Sequence, residues 1–519
     1  MTGVAAQLCG DVNQVQALGY QVKHHDILNE EGKCFSKIGA RIAVLNDLSP
    51  AASFISYNTN TPIDPEQFRH AAINLIDDAE RECSWMYKTI PVGEKAFTQE
   101  ICSKLDNISS INEIQKALEP FEGKLATVNY TVWSDIFICS SCGAEICLWD
   151  ETVDLVENSV KKIFSCSHCS SELKLTKKKV DKLERAWENT YDHGLNKVVR
   201  RAKSKLVWVS YTYQKGRRSE KSPDEFDHKL IALIEKLNLD DWFPNTRMPD
   251  GEESRRNDDI GITHVHQFYT KRNLTSIAVL DKKILLAKPE LKNRLKMLIT
   301  SILDRMSVRN RYMPQHRGNK NREVVGPLSG TLYVPNFSLE VNPVLYLKNG
   351  KLSEIHRALL HITKNYNGVI TNQSATSLAQ MPDNSVHYIF TDPPFGSVLM
   401  YSELNFIYET WLRVHNNNKK EAIENKVQKK DLQAYQHLMT ECFKEYERVL
   451  MPGHWITVEY HNSHNVVWNA IQEALQMAGL VVSDVRTLDK QKGTTKQLTN
   501  ANATNQDLII SAYKPTHKL

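Results

Sequence analysis

The mostly apolar run Val386-His387-Tyr388-Ile389-Phe390 breaks off into Thr391-Asp392-Pro393-Pro394-Phe395-Gly396. Such a run reads as a strand within a sheet, and the polar, proline-rich stop puts a turn at its carboxyl end. Around it the chain alternates between the two periodicities. Leu432, Tyr435, Met439, Cys442, Phe443, Tyr446 and Val449 recur at helical spacing, so 431–450 reads as an amphipathic helix. Pro452-Gly453 stops that helix, and Trp455 to Tyr460 resumes as strand. A helix over 466–478 and strands near 481–487 and 507–513 complete the set. This alternation over 367–515 implies an α/β fold with a mainly parallel sheet covered on both faces. Open sheets of that kind bind ligands beyond the carboxyl ends of their strands, where Asp392 to Gly396 fall.

The start of the chain carries a second α/β fragment. Thr2 to Cys9 suits a helix, and Arg41-Ile42-Ala43-Val44-Leu45 is a short apolar run ending at Asn46-Asp47. Ser49-Pro50 then looks like an N-cap followed by proline at the first helical position. Residues 64–90 also read as helical. A chain of 519 residues is too long for one core. The expected organisation is therefore an α/β core in two parts, 1–90 and 331–519, split by short strands around cysteine pairs (130–175) and a charged, helical and irregular region (176–330). An apolar content of 41% excludes a disordered chain, and no apolar stretch is long enough to cross a bilayer. Met1-Thr2-Gly3-Val4 lacks the features of a secretory signal, so a cytoplasmic protein without membrane partners is expected.

Ten cysteines are too sparse for a disulfide framework, and four of them form two close pairs. Cys139 and Cys142, followed by Gly143, and Cys166 and Cys169 have 23 residues between the pairs. Each C-x-x-C makes a knuckle whose sulfurs point to one centre, so together they suit a closed four-thiolate site for structural Zn²⁺. Cys147 and His168 lie nearby, but the paired spacing favours the four named. Cys9, Cys34, Cys83, Cys102 and Cys442 read as packing residues.

Two segments are strongly basic. Lys197 to Lys221 holds nine Lys/Arg against one acid, with Trp208, Tyr211 and Tyr213 interleaved. Lys282 to Arg322 holds twelve against two, ending in Arg309-Asn310-Arg311-Tyr312 and His316 to Arg322. Either suits phosphate contacts with base stacking, and either is also what a solvated helix face looks like. His264-Val265-His266 would put two imidazoles on one strand face, yet no third ligand sits at a fixed spacing. The stretch Gly261 to Leu274, with Arg272, reads rather as packing between the inserted region and the core.

The turn at 391–396 carries the most specific chemistry. A carboxylate, a proline carbonyl and an aromatic ring suit a planar heterocycle bearing an exocyclic amino group. Asp392 and the carbonyl would accept the two amino hydrogens, and Phe395 would stack on the ring. Two adjacent prolines remove backbone donors and leave carbonyls to face the ligand. The same letters also serve as a proline-stiffened turn and nothing more.

The stretch Ser385 to Gly396 resembles the catalytic motif of amino-group DNA methyltransferases, which use S-adenosylmethionine to methylate adenine N6 or cytosine N4. The resemblance extends to Tyr401-Ser402-Glu403-Leu404, Glu447 to Gly453 and Asp507 to Tyr513, and to Met1 to Ala6 and Leu45 to Pro50 at the start. It implies a discontinuous Rossmann-like methyltransferase core with Asp392, Pro393, Pro394 and Phe395 in catalysis. It further implies Thr2, Gly3, Asp47 and Ser374 at the cofactor, with Asp47 on the ribose hydroxyls, and a flipped target base in DNA. Adenine is favoured because the cytosine branch more often has Ser before the prolines. Two departures stand out. The family's first strand and most of its glycine loop have no counterpart, so either the true start lies upstream or the chain as written binds the cofactor weakly. Where relatives carry an adenine-reading acid, this chain has Asn372 and Gln373. A restriction or defence-system assembly is the expected setting. The alternatives are an RNA guanine-N2 methyltransferase, which uses a similar motif, and a non-catalytic zinc-ribbon DNA-binding subunit with a decayed core.

Overall fold

The computed structural model describes residues 2–175, 183–214, 216–318, 325–362, 368–461, 465–489 and 506–517. At the start of the chain, helix Thr2–Leu8 leads through a second short helix and a three-stranded antiparallel meander (Gln21–Lys23, Asp26–Leu28, Cys34–Lys37) to strand Ala43–Asp47. Ser49 caps the next helix, Pro50–Asn60, with proline in its first turn, as the sequence implies. Strand Ala43–Asp47 pairs in parallel with Gly368–Asn372, more than 300 residues later, so that Asp47 stands opposite Asn372.

The motif strand, Val386–Thr391, begins a separate four-stranded sheet. Its neighbour Leu450–Tyr460 is parallel, whereas Gln506–Tyr513 and Val481–Asp489 follow in antiparallel pairing. The expectation of a mainly parallel, doubly covered sheet is thus met only in part. Among the described residues the parallel pairing is confined to two strand pairs, and Tyr388 and Phe390 of the motif strand stay exposed at 55% and 41%. Helices Leu432–Val449 and Asn465–Met477 pack on this sheet through Tyr435, Met439, Phe443, Ile471 and Leu475. Pro452-Gly453 lies within a strand instead of between elements. The partner register slips there (Val386 faces Leu450 but Tyr388 faces Trp455), and Gly453 takes φ +74°. A bulge of this kind tolerates both residues.

The inserted region is built around one long strand, Ala126–Ile138, inside a seven-stranded sheet. Its partners include Ser204–Tyr213 and Phe337–Val341. Helices Pro65–Cys83, Glu225–Lys236, Lys271–Ile284 and Pro289–Thr300 share an apolar core beside this sheet. Helix Pro65–Cys83 therefore packs with the inserted body, although the sequence groups it with residues 1–90. Where Lys271–Ile284 meets the sheet, Arg272 pairs with Glu340, both almost fully buried. Thr131, Trp133 and Thr270 donate to the same carboxylate. Arg272 thus packs within the inserted body, and not between that body and the core as the sequence suggests. No helix among the described residues is long and apolar enough to cross a membrane.

Candidate functional site

The motif turn is held from behind. Asp392 is exposed, Pro393 buried, Pro394 and Phe395 half-buried, and Gly396 turns the chain with φ +69°. Tyr435, on helix Leu432–Val449, donates its hydroxyl to the Pro394 carbonyl at 2.8 Å. The Glu424 N–H reaches the Gly396 carbonyl at 3.3 Å. The Pro394 carbonyl is therefore engaged within the protein, which corrects the expectation that both proline carbonyls face a ligand. Phe395 packs edge-to-face against Tyr460 (5.6 Å, 86°) and His461 (6.0 Å, 66°).

Asp47 ends its strand with one carboxylate oxygen accepting the Ser49 N–H at 2.8 Å. Desolvation by its surroundings raises its pKa above the usual carboxylate value, although the side chain remains open to solvent. Tyr401 opens helix Tyr401–Trp411, which lies against the Asp47 turn. Burial pushes the Tyr401 hydroxyl upward, and the negative charges of Asp392, Glu421 and Asp47 add to the shift. Tyr401 thus lies within electrostatic reach of both strand-end acids. The same helix grips the Asp47 turn, because Glu409 accepts the Ser49 hydroxyl at 2.6 Å and Asn405 donates to it at 3.1 Å. One turn earlier, Glu403 accepts the Ser254 N–H at 2.6 Å and the Asn425 amide at 3.0 Å. Glu403 and Glu409 are fully buried, and desolvation raises both. Buried acids on an otherwise apolar helix were the sequence signal for this brace. The residue-level reading missed it.

The remaining cofactor-side residues divide. Ser374 sits two residues past Asn372, on the same end as Asp47, with its hydroxyl 3.0 Å from that of Thr376. Thr2 is exposed at the start of its helix. Gly3 is buried, and a Cβ there would stand 2.5 Å from Asn60 Oδ1 and 2.7 Å from Leu45. Gly3 thus allows its helix to pack closely on Asn60 and Leu45. Asn372 donates its amide to the carbonyls of Asp47 and Leu48 at 3.0 and 3.1 Å. Its amide nitrogen thus clips two turns together.

Cys139, Cys142, Cys166 and Cys169 do converge, with all four sulfurs within 4.8 Å of one another. Two of the edges are 3.7 and 3.9 Å, close to the roughly 3.8 Å spacing of a tetrahedron with Zn–S bonds of about 2.3 Å. The two knuckles match in backbone. Gly143 N–H bonds to the Cys139 carbonyl and Ser170 N–H to that of Cys166, both at 2.8 Å, with φ +76° and +61°. The Ser171 hydroxyl and the neighbouring sulfurs bring the Cys169 thiol down to about 6. Cys147 and His168 stand outside the four. Of the supposed packing cysteines, Cys83 and Cys102 are buried but Cys34 is exposed, because its meander lies on the surface.

The basic segments are spent inside the protein only in part. Trp208 and Tyr211 are buried in the sheet, so neither is a base-stacking surface. Arg294 donates to the Thr61 carbonyl, and Lys296 pairs with Asp281. Arg309 pairs with Asp304, and Arg317 with Glu220. Lys197, Arg200 and Arg217 remain exposed. Asn319, Lys320, Asn321 and Arg322, like Met1, lie outside the described residues. The histidine pair is a 3-10 turn and not a strand face. His266 is buried with Nε2 2.8 Å from Asp192, and His264 caps the turn.

No family profile and no curated protein matches this chain. Among solved structures, a Thermus thermophilus protein provisionally described as a DNA modification methylase is 17% identical, over 28% of this chain and 52% of its own, with a TM-score of 0.19. The same description, complexed with S-adenosyl-L-methionine, gives 17% over 27% and 53%, with a TM-score of 0.18. A SAM-dependent methyltransferase of Methanosarcina mazei is 9% identical over 30% and 71%, with a TM-score of 0.18. The match spans about half the length of the Thermus protein.

Proposed function

We propose that this chain is an S-adenosylmethionine-dependent methyltransferase acting on the exocyclic amino group of a base flipped out of DNA, adenine N6 being the favoured target. The observation that supports it best is that Asp392 follows the carboxyl end of its strand, beside a parallel neighbour, and Asp47 ends a second parallel-paired strand. One acid stands where a cofactor diol would bind and the other where an amino group would.

The donor set fits the cofactor. Asp47 is an exposed but partly desolvated carboxylate, which gains by accepting hydroxyl hydrogens, and Ser374 stands on the same side. When bound, the cofactor supplies an electrophilic methyl on a sulfonium centre. Asp392 accepts hydrogen bonds from the amino group, which localises the nitrogen lone pair. Phe395, braced on one side by Tyr460 and His461, stacks on the base. Pro393 narrows the approach to the amino group, while Tyr435 fixes the turn through Pro394. Catalysis is then chiefly alignment of the nucleophile with the methyl group. The four-cysteine cluster holds a structural zinc ion, with no coordination position left for catalysis. Lys197, Arg200 and Arg217 are the candidate phosphate contacts for DNA.

The test is transfer of tritium from labelled cofactor into duplex DNA by the full chain, followed by nucleoside analysis. Methyladenine formation, abolished by Asp392→Ala with cofactor binding retained, is the expected result. No transfer by the wild type overturns the reading, and transfer into RNA alone replaces it with the guanine-N2 alternative.

A further inference from the structure

The carboxyl end of the strand beside the motif carries a second polar pair that the function above does not use. Val458 faces Thr391, the last residue of the motif strand. Strand Leu450–Tyr460 therefore runs past the motif strand, and His461 emerges alongside the 392–396 turn. Its ring centroid lies 6.0 Å from that of Phe395, with the planes at 66°. On the other flank, Leu508 faces Tyr460, which sets Asp507 beside His461. The Asp507 carboxylate has no solvent exposure and approaches His461 Nδ1 to 2.6 Å, while the imidazole keeps 19% of its surface open.

We propose that His461 accepts the proton which the target amino group loses on methylation, and that Asp507 is the positioning residue behind it. The inference rests on the methyltransferase reading. An acid against Nδ1 keeps the proton of a neutral imidazole on that nitrogen, so Nε2, at the far corner of the ring, offers its lone pair. The carboxylate, 2.6 Å from Nδ1, faces the charge that the imidazole carries once it takes up a proton. A base stacked on Phe395 would lie beside His461, whose ring centroid is 6.0 Å from that of Phe395. In the step itself, the nitrogen lone pair forms the new N–C bond as the S–C bond of the sulfonium donor breaks, leaving that electron pair on sulfur. The nitrogen, now cationic, passes one proton to Nε2, and the charge on the imidazolium faces Asp507. Asp392 remains a hydrogen-bond acceptor throughout and takes no proton.

Steady-state transfer from tritiated S-adenosylmethionine to an adenine-containing duplex, with the full chain, separates the roles. His461→Gln is expected to lower kcat by about 10²- to 10⁴-fold, the usual range for a general base, with KM for DNA and cofactor affinity within about twofold of wild type. His461→Ala is expected to regain at least about tenfold of its lost rate in added imidazole, a rescue that a merely structural residue would not give. Asp507→Asn is expected to lower kcat and to gain nothing from imidazole. A His461→Gln enzyme with at least half the wild-type kcat overturns the proposal, as does a folded His461→Ala enzyme that imidazole leaves unchanged. Absence of transfer by the wild type overturns the methyltransferase reading, and this proposal with it. Wild-type transfer with an unimpaired His461→Gln variant overturns the proton-acceptor role alone.

Discussion

Arg272→Met tests how the inserted body is held together. Glu340 lies on strand Phe337–Val341, paired to the long strand Ala126–Ile138, and receives Arg272 Nε at 2.9 Å, a second guanidinium nitrogen, Thr131 at 2.7 Å and Trp133 at 3.0 Å. Burial works to raise the Glu340 pKa, but Arg272 and the hydroxyl donors overcome it and hold the group below the usual carboxylate range. Removing the guanidinium leaves a desolvated carboxylate with neutral donors only, a change that costs about 3–5 kcal/mol. The pH dependence follows from the sign of the shift. In the wild type the group's contribution is complete above the unfolded-chain value, about 4.3. It is lost only as pH falls through the lower folded value. In Arg272→Met, burial is opposed by much less, so the folded-state pKa rises and the native protein takes up a proton that the unfolded chain does not. The penalty should therefore be largest near pH 8 and shrink toward pH 5. Urea unfolding followed by tryptophan fluorescence reads it, because Trp133, Trp149 and Trp208 all belong to this body. Adding Glu340→Gln should return at least half of the loss, since the pair is one coupled unit. A loss below about 1 kcal/mol at pH 8, or one that does not change with pH, would refute the reasoning.

Asp47→Ala should weaken S-adenosylmethionine binding by about 10- to 150-fold in calorimetry, the equivalent of one lost charge-assisted contact of roughly 1.5–3 kcal/mol. Because desolvation raises the Asp47 pKa, wild-type affinity should fall earlier on acidification than an ordinary carboxylate would dictate. Freshly purified protein should contain about one zinc per chain by elemental analysis, lost together with local protease resistance in Cys139→Ser/Cys166→Ser; zinc-free fresh protein refutes the site. Gly3→Ala must push Asn60 or Leu45 aside. Limited proteolysis should then cut residues 2–60 faster while the inserted body stays intact.

Much of the local structure was visible in the sequence where a single short-range rule governs it. Ser49-Pro50 fixes a helix start, the 432–449 periodicity fixes a helix, and C-x-x-C spacing fixes each knuckle, since all three depend on neighbours within one or two turns. The motif strand and its turn were legible for the same reason. What escaped was set by partners far away in the chain. Gly3 looks like a ligand-loop glycine until Asn60 and Leu45 close over it. Asn372 looks like a ligand donor until its amide is found on the Asp47 and Leu48 carbonyls. Charge density was the least reliable guide, because Arg294, Lys296 and Arg309 find their acceptors only when the helices have packed. Glu409 and His461 stand at no spacing that distinguishes them, and each matters only through another segment of the fold.

The motif strand has a paired neighbour on one side only among the described residues, and the same holds for Ala43–Asp47. A catalytic turn on an interior strand inherits stiffness from the ladders on both flanks. Here the 392–396 turn has one such ladder, and it gains further stiffness through the Tyr435 hydroxyl and the Glu424 amide. Mechanically the turn is a cantilever propped from below by one helix, so the geometry of the reacting groups is coupled to how firmly helix Leu432–Val449 is seated. Substitutions in the buried face of that helix, at Met439 or Phe443, thus have a route to the reaction rate without touching a single reacting atom. Amide hydrogens along the open edges of Val386–Thr391 and Ala43–Asp47 likewise exchange on a different clock from those of the doubly paired strand Gln506–Tyr513.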